Sequence, residues 1–421
     1  MASPRKLFFY PVLAFIVALS LTTCFSAYRG DTGTLVFSLQ NPGNSRLIMD
    51  PVEVETLEHE IILKGPGGTI TRKITGSGVL SIELVPGSWY VKVRAIGDRP
   101  EDYKNLFNET TMLRAMGMET VEVKAGQRTP AKINLFSATE VTSWEQLSEV
   151  INIYSEFLDE KRREGIIVVK GELFARDFIP IEDIKITLMT EGDDATIFRS
   201  VAYDTEEMYE GPFFEISDKG KLILKGGDGA ELILDGENEQ GVSYYSLLFL
   251  YNGGSLEMYD GAVLQNNHNQ VDWPMGGAVY VSSNSKFTMH GGIIRNNTAY
   301  QGGGVLLWNG TFDMKGGVIY GNRAESFVEG TATGYGGGVY VQYEGTFSKT
   351  GGIIYGINDG KWKNTADTGN GDAVFVQMKY NSESWEVIRP ERQKNYTAGR
   401  GTNLNSENEI NWDNEPPVEP F

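Results

Sequence analysis

The chain is poor in the residues that build covalent or metal frameworks: it has one cysteine, Cys24, and three histidines in 421 residues. One thiol excludes a disulfide framework within the chain, and this supply of imidazole and thiolate leaves no zinc cluster of the usual kind. Positive charge is also scarce. Lysine and arginine number 37 against 56 aspartates and glutamates, a formal charge of −19, which argues against nucleic acid or an anionic lipid surface as the main partner. A long apolar run occurs only near the start, from Leu7 to Leu21. What is abundant is glycine: 50 residues, concentrated after Gly253 and without the every-third spacing of collagen. The glycines therefore belong to a regional architecture.

Arg5 and Lys6, the apolar run and then Leu21-Thr22-Thr23-Cys24 read as an export signal, too short and too close to the terminus to favour a permanent span. The Leu-Thr-Thr-Cys segment resembles the bacterial lipoprotein box, in which the cysteine is lipidated and becomes the first mature residue. Thr23 stands where that family carries glycine, alanine or serine. The resemblance implies a signal over 1–23, a lipid on Cys24 as the contact with membrane, and a site in the bacterial cell envelope, at the outer membrane or cell surface. Plain secretion and an uncleaved anchor are the other readings. A short linker over 24–31 follows.

Between 32 and 136 the chain gives short runs of period two: Thr34–Gln40, Val52–Leu63, Gly76–Leu84, Trp89–Ala95, Thr120–Lys124 and Pro130–Leu135, with turns such as Pro86-Gly87-Ser88 between them. This predicts an antiparallel β-sandwich, with a loop and short helix over Asp102–Ala115. Leu84-Val85-Pro86-Gly87-Ser88-Trp89-Tyr90-Val91-Lys92-Val93 and Val121-Glu122-Val123-Lys124-Ala125-Gly126 resemble the transthyretin-like or carboxypeptidase-regulatory-like modules of exported bacterial proteins, which act as spacers. Trp89 shares the period of Val91 and Val93, so a core role is favoured over sugar stacking.

Thr142-Ser143-Trp144-Glu145-Gln146-Leu147 is a helix start, with Ser143 as cap and Gln146 three residues on. Leu147, Val150, Ile151, Tyr154 and Leu158 make its apolar stripe, and the helix is expected to end near Arg163-Glu164-Gly165. Residues 137–165 thus read as linker plus a capping helix, laid over the end of a strand stack.

The stack is written in a repeat. Gly276-Gly277-Ala278-Val279-Tyr280-Val281 aligns with Gly302-Gly303-Gly304-Val305-Leu306-Leu307, with Gly336-Gly337-Gly338-Val339-Tyr340-Val341, and with Asn370-Gly371-Asp372-Ala373-Val374-Phe375-Val376. In each unit a second run follows, Phe287-Thr288-Met289 or Phe312-Asp313-Met314, and then a third, Gly292-Ile293-Ile294 or Gly317-Val318-Ile319. Three short strands per unit cannot bury their apolar sides alone, but stacked units give continuous columns of Phe287, Phe312 and Phe347 and of Met258, Met289 and Met314. Asn266, Asn297 and Asn322, with Asn358 one place late, predict an asparagine ladder at one bend. These units resemble the repeats of bacterial surface β-helix lipoproteins. The expected fold is all-β: the N-terminal sandwich, then a right-handed parallel β-helix over 166–390, then a cap or disordered tail over 391–421.

Chemistry is thinly written. Glu257 and Asp313 share an outward column two coils apart, and Tyr259, His290, Lys315 and Thr350 form the next; a solvated face accounts for both better than acid–base catalysis does. Asp367, Asn370 and Asp372 present oxygens that suit calcium, although an ordinary turn explains them. No catalytic or cofactor-binding residue is assigned. The more credible surface is an outward apolar ridge, Tyr280, Leu306, Tyr340 and Phe375, with Trp308 beside it and Trp273 and Trp362 in the variable insertions. It is either a contact for glycan or protein, or an interior face covered by loops. The sequence favours an adhesion or glycan-binding scaffold over a polysaccharide lyase or hydrolase, and over a purely structural surface protein.

Overall fold

A computed structural model describes residues 32–38, 56–76, 78–157, 164–200, 209–236, 243–270, 276–326, 334–342, 345–356, 360–367 and 371–376, and the short strands 379–380 and 387–388. The apolar leader, Cys24 and the segment 391–421 lie outside the described residues. The described chain is mostly β-strand with one α-helix, and it divides into two compact units, Met1–Phe136 and Ser137–Phe421.

In the first unit, Gly68–Thr75, Glu58–Gly65, Gly87–Asp98 and Thr111–Val123 form an antiparallel run. Gly33–Ser38 pairs antiparallel with Val79–Leu84 and parallel with Arg128–Ala131. That parallel pair departs from the expected all-antiparallel pattern: the first and last strands meet, and no short turn dictates their direction. The alternating residues Leu35, Phe37, Ile61, Leu63, Trp89, Val91 and Val93 fill one core. Trp89 is fully buried, its indole donating to the Val85 carbonyl at 2.8 Å, and a Cβ at Gly65 would sit 2.4 Å from its ring. Asp102–Ala115 is a single turn of 3₁₀ helix, Glu101–Tyr103, and then strand from Thr111; a bulge between Ala95 and Ile96 lets the hairpin continue past the point where strict alternation fails.

In the second unit the strand Phe136–Val141 pairs in parallel with Glu164–Val169 across the helix Trp144–Phe157. The Gln146 amide donates to Ser143 Oγ at 3.2 Å, while the Gln146 side chain accepts from the Thr142 amide at 2.8 Å, a capping box opened by one residue. Trp144, Leu147, Val150, Ile151 and Tyr154 are buried; Leu158 lies outside the described residues. The helix is described to Phe157 and strand structure begins at Glu164; residues 158–163, with Arg163, lie outside the described residues. Gly165 is needed where it stands, because a Cβ there would lie 2.1 Å from the Tyr154 ring.

From Glu164 the chain visits three parallel sheets in rotation, seven times. The first sheet stacks Glu164–Val169, Lys185–Met189, Lys221–Lys225, Ser255–Met258, Lys286–Met289, Thr311–Met314 and Thr346–Lys349. The second stacks Gly171–Ala175, Ala195–Arg199, Leu232–Asp235, Ala262–Gln265, Ile293–Arg295, Val318–Tyr320 and Ile353–Ile354. The third stacks Ile179–Glu182, Phe214–Ser217, Leu248–Leu250, Val279–Val281, Val305–Trp308, Val339–Gln342 and Val374–Val376. These long parallel sheets are consistent with a β-helix, and they begin before the glycine-rich units.

The interior columns follow the repeat. Phe287, Phe312 and Phe347 pair in register, with ring centroids 4.4 and 5.2 Å apart. Each methionine reaches beneath the glycine of the coil above: a Cβ at Gly317 would meet Met289 Cε at 2.4 Å, and one at Gly352 would meet Met314 Cε at 2.6 Å. Both glycines also hold positive φ, +82 and +76. The Phe-Xaa-Met-Xaa-Gly-Gly spelling thus records two demands, a left-handed corner and a vacancy for the sulfur-bearing tip below.

The asparagine ladder is present with two of its members reassigned. Its rungs are Asn267, Asn297, Asn322 and Asn364, all fully buried. The backbone amide of each of the first three donates to Oδ1 of the next, at 3.1, 3.0 and 2.9 Å. Asn266 points instead to Asp235, at 2.9 Å, and Asn358 lies outside the described residues. Met258 pairs with Met289 but Val263 pairs with Ile293, so one extra residue rounds that corner and a count from Gly261 stops one place short.

Asn322 also donates through Nδ2 to the Ile294 and Tyr320 carbonyls and to Asn364 Oδ1, at 3.0, 3.0 and 2.9 Å. Replacement by alanine leaves buried backbone groups unpaired, a cost of about 1–3 kcal/mol for each. Asn322→Ala is therefore expected to lower the urea midpoint clearly, while exposed Thr350→Ala leaves it nearly unchanged; equal midpoints for the two variants would contradict the ladder's role.

Candidate functional site

The outward face of the third sheet carries one continuous column. Pro180 pairs with Glu215, Glu215 with Phe249, Phe249 with Tyr280, Tyr280 with Leu306, Leu306 with Tyr340 and Tyr340 with Phe375. The expected ridge is thus in register, but its later part is interior. Leu306, Tyr340 and Phe375 are 0, 2 and 8 % exposed, and Trp308, Tyr280 and Tyr335 pack against them half-buried. The cover comes from the glycine segments that enter each third-sheet strand: Cβ atoms at Gly302, Gly336 and Gly371 would stand 2.9, 2.8 and 2.4 Å from the Cβ atoms of Leu306, Tyr340 and Phe375. Tyr335 adds its ring 4.7 Å from Phe375. Trp362 packs elsewhere, edge-on to Tyr320 of the second sheet, and Trp273 lies outside the described residues.

The earlier coils carry the accessible part. Phe249 is half-buried among three other rings, 5.1 Å from Tyr280 and nearly parallel to it, 5.2 Å from Tyr251 and 6.2 Å from the edge-on Tyr245. Tyr244 and Tyr245 are exposed, at 44 and 36 %. Their corner, Ser243–Leu247, has none of the glycines that seal the later coils. Sequence reasoning missed Phe249, Tyr251 and Tyr245 because it was anchored on Gly-Gly. The available signal was Leu248-Phe249-Leu250, the same apolar–aromatic–apolar triplet as Val279-Tyr280-Val281.

Glu215 heads this aromatic row. Partial burial raises its pKa above the ordinary carboxylate range; a hydrogen bond with Tyr251 opposes that shift, and nearby Glu182 adds to it. Burial likewise raises the Tyr280 phenol, offset in part by a hydrogen bond with Ser282. The row therefore joins apolar ring surface, phenolic hydroxyls and a carboxylate held against its preference, a combination frequent at binding sites.

The other sequence candidates are engaged otherwise. Glu257 accepts from Lys221 at 2.6 Å and from Tyr259 at 3.0 Å; burial works to raise its pKa, but these partners hold it below the usual range. Asp313 pairs with Lys286 at 2.7 Å. His290 lies flat on Tyr259, centroids 4.6 Å apart, while Lys315 and Thr350 are exposed. Asp367 accepts the backbone amides of Ser326 and Gly334, at 2.7 and 2.6 Å, and Asp372 accepts that of Ala366 at 2.8 Å; Asn370 lies outside the described residues. Among the described residues there is no group of three or more His, Cys, Asp or Glu placed to hold a metal ion, and no helix is long and apolar enough to cross a membrane.

No protein-family model matches the chain, no curated protein is similar enough to match it, and no solved structure matches it.

The raised pKa of Glu215 has a definite sign. A carboxyl whose folded pKa exceeds its unfolded value favours the fold while protonated, and that contribution is lost as pH rises through the folded pKa. Glu215→Gln, which keeps an acceptor for Tyr251, is expected to raise the denaturation midpoint at about pH 7 and to give no gain at about pH 3. A variant less stable than wild type at neutral pH would contradict this account.

Proposed function

We propose that this chain is an exported, lipid-held cell-surface protein whose β-sandwich module carries a right-handed parallel β-helix, and that the helix is an adhesion scaffold binding glycan on the third-sheet face at Phe249 and Tyr280. The observation that carries the reading is the half-exposed four-ring cluster around Phe249, set on rigid strands beside Glu215. Aromatic carbons suit the C–H face of a sugar ring, and the phenolic hydroxyls of Tyr245, Tyr251 and Tyr280 suit its hydroxyl groups. Support for the scaffold comes from seven rotations through three parallel sheets. Support for a lipid anchor is the export-type leader with its Leu-Thr-Thr-Cys end.

Binding in place of turnover is favoured by the state of the carboxylates on the first sheet. Glu257 and Asp313, the pair nearest to a hydrolase arrangement, are each held by a lysine. A glycoside hydrolase needs one neutral acid and one free base or nucleophile across the scissile bond.

Glycan-array screening followed by calorimetry tests the site. Phe249→Ala with Tyr280→Ala is expected to weaken binding by about tenfold or more with an unchanged circular dichroism spectrum. Tyr340→Ala is expected to act on stability, since its ring is buried. Release of reducing ends or unsaturated products from any bound polysaccharide would replace the binding reading with an enzymatic one. For the anchor, Cys24→Ser is expected to move the protein from the detergent phase to the aqueous phase of a Triton X-114 partition; wild-type protein found in the aqueous phase would remove the lipid from the proposal.

A further inference from the structure

The residues on which the aromatic row stands are one-sidedly acidic. The first two strands of the third sheet and the corners after them, Ile179 to Asp183 and Phe214 to Gly220, carry Glu182, Asp183, Glu215 and Asp218 against Lys219 alone. Glu182 is exposed and receives a hydrogen bond from Ser217 Oγ at 3.3 Å, and Asp218 receives Asn252 Nδ2. Glu215 lies next to Phe249 in the same outward column, and Glu182 is close enough to disfavour its ionisation. The cations that follow in sequence are engaged elsewhere: Lys185 pairs with Glu164 and Lys221 with Glu257, and the buried Arg199 guanidinium donates to the Tyr209 and Gly211 carbonyls and to Asn267 Oδ1, at 2.7, 2.6 and 3.0 Å. The following strands, Leu248–Leu250 and Val279–Val281, bring aromatic rings and no charge.

A half-exposed aromatic face bordered by carboxylates discriminates among glycans by charge. Uronate or sulfated polymers would place anions against Glu182 and Glu215, and like charges at close range are strongly disfavoured. Neutral sugars can add hydroxyl donors to the hydrogen bond that Tyr251 already makes with Glu215, but they bring no counter-charge to Glu215 and Glu182. An ammonium on the sugar answers both problems: it supplies the missing charge where the carboxylate is held, while the ring packs on Phe249 and Tyr280. A lysine-rich peptide offers the same charge but lacks the ring and its array of hydroxyls, which the three phenols around Phe249 are placed to meet.

Resting on the glycan-binding reading above, we infer that the ligand class is a glycan with free amino groups, such as a de-N-acetylated hexosamine polymer, its ammonium groups set at Glu215 and Glu182 and its rings on Phe249 and Tyr280. Calorimetry on the full chain, with glucosamine hexamer, its fully N-acetylated counterpart, an oligogalacturonate and polylysine as probes, tests this directly. The expected result is that the amine hexamer binds about tenfold or more tightly than the acetylated one, with no binding of the uronate. The double variant Glu182→Gln, Glu215→Gln brings the two hexamers to within about twofold of each other, because amide oxygens keep the hydrogen bonds and lose the charge. Equal affinities of the wild type for both hexamers, or a preference for the uronate, would overturn the inference and leave glycan binding intact. Failure of every sugar probe overturns the glycan reading itself. Polylysine that binds where the amine hexamer does not would assign the face to a basic protein partner and sink the inference.

Discussion

Every coil of the second unit must approach the next at strand-to-strand distance, about 4.8 Å, and the rest of the structure is organised by that spacing. Side chains that stack without offset survive it: phenylalanine over phenylalanine on the inside, asparagine over asparagine at the bend. Side chains that cannot repeat at that interval are removed, which is why Gly317 and Gly352 sit over Met289 and Met314. The glycine content is therefore a packing consequence of parallel stacking. It differs from the flexible-linker use of the same residue, since runs such as Gly302-Gly303-Gly304 and Gly336-Gly337-Gly338 are buried.

The same spacing explains where a surface can remain open. In the later coils the chain runs back over the outward face of the third sheet as close-packed glycine, and Leu306 and Tyr340 become interior. The coil holding Phe249 lacks that segment, so its outward ring is only half covered. The exposed rings, Tyr244 and Tyr245, thus stand where the repeat lapses, and the strand before the lapse carries Glu215, a carboxylate that burial holds above its ordinary pKa. Regular units supply rigidity, and the irregular one supplies chemistry. Sites built on such a rigid strand array lose little conformational entropy on binding.

How much of this was legible in the sequence depended on the range of the cause. Columns set by identical side chains at matched positions, such as Phe287 over Phe312, were readable because spacing alone determines them. The ladder was readable to within one residue; Asn267 was displaced from the expected position by an extra residue in the corner before Val263, and only the strand pairing reveals it. The parallel meeting of Gly33–Ser38 with Arg128–Ala131 was not readable, since it joins the two ends of the module. Burial of Tyr340 was legible only as one of two readings, a covered face or an open ridge, because an outward position in a strand is interior or exposed according to what distant backbone returns over it. Phe249 was overlooked because its strand keeps the apolar triplet and drops the glycines that flagged the others.

The ladder and the aromatic face meet at one residue. Within the ladder, Oδ1 of each asparagine accepts the amide of the coil before it, so Asn267, the first rung, has no asparagine below to use its oxygen. Arg199 takes that place, with Nη2 donating to Asn267 Oδ1 and Nη1 donating to the Tyr209 and Gly211 carbonyls. Its guanidinium stands 5.1 Å from the Phe213 ring and is 2 % exposed. Burial lowers its pKa to about 10, with Tyr209 and Glu210 opposing the shift, so it stays charged at neutral pH. A buried cation held mainly by carbonyl oxygens is costly unless its geometry is fixed, and the carbonyls it gathers belong to the corner that leads directly into Phe214–Ser217. The residue that ends the ladder therefore also fixes the approach to Glu215, which ties the position of the carboxylate at the head of the aromatic row to the same coil spacing that built the core.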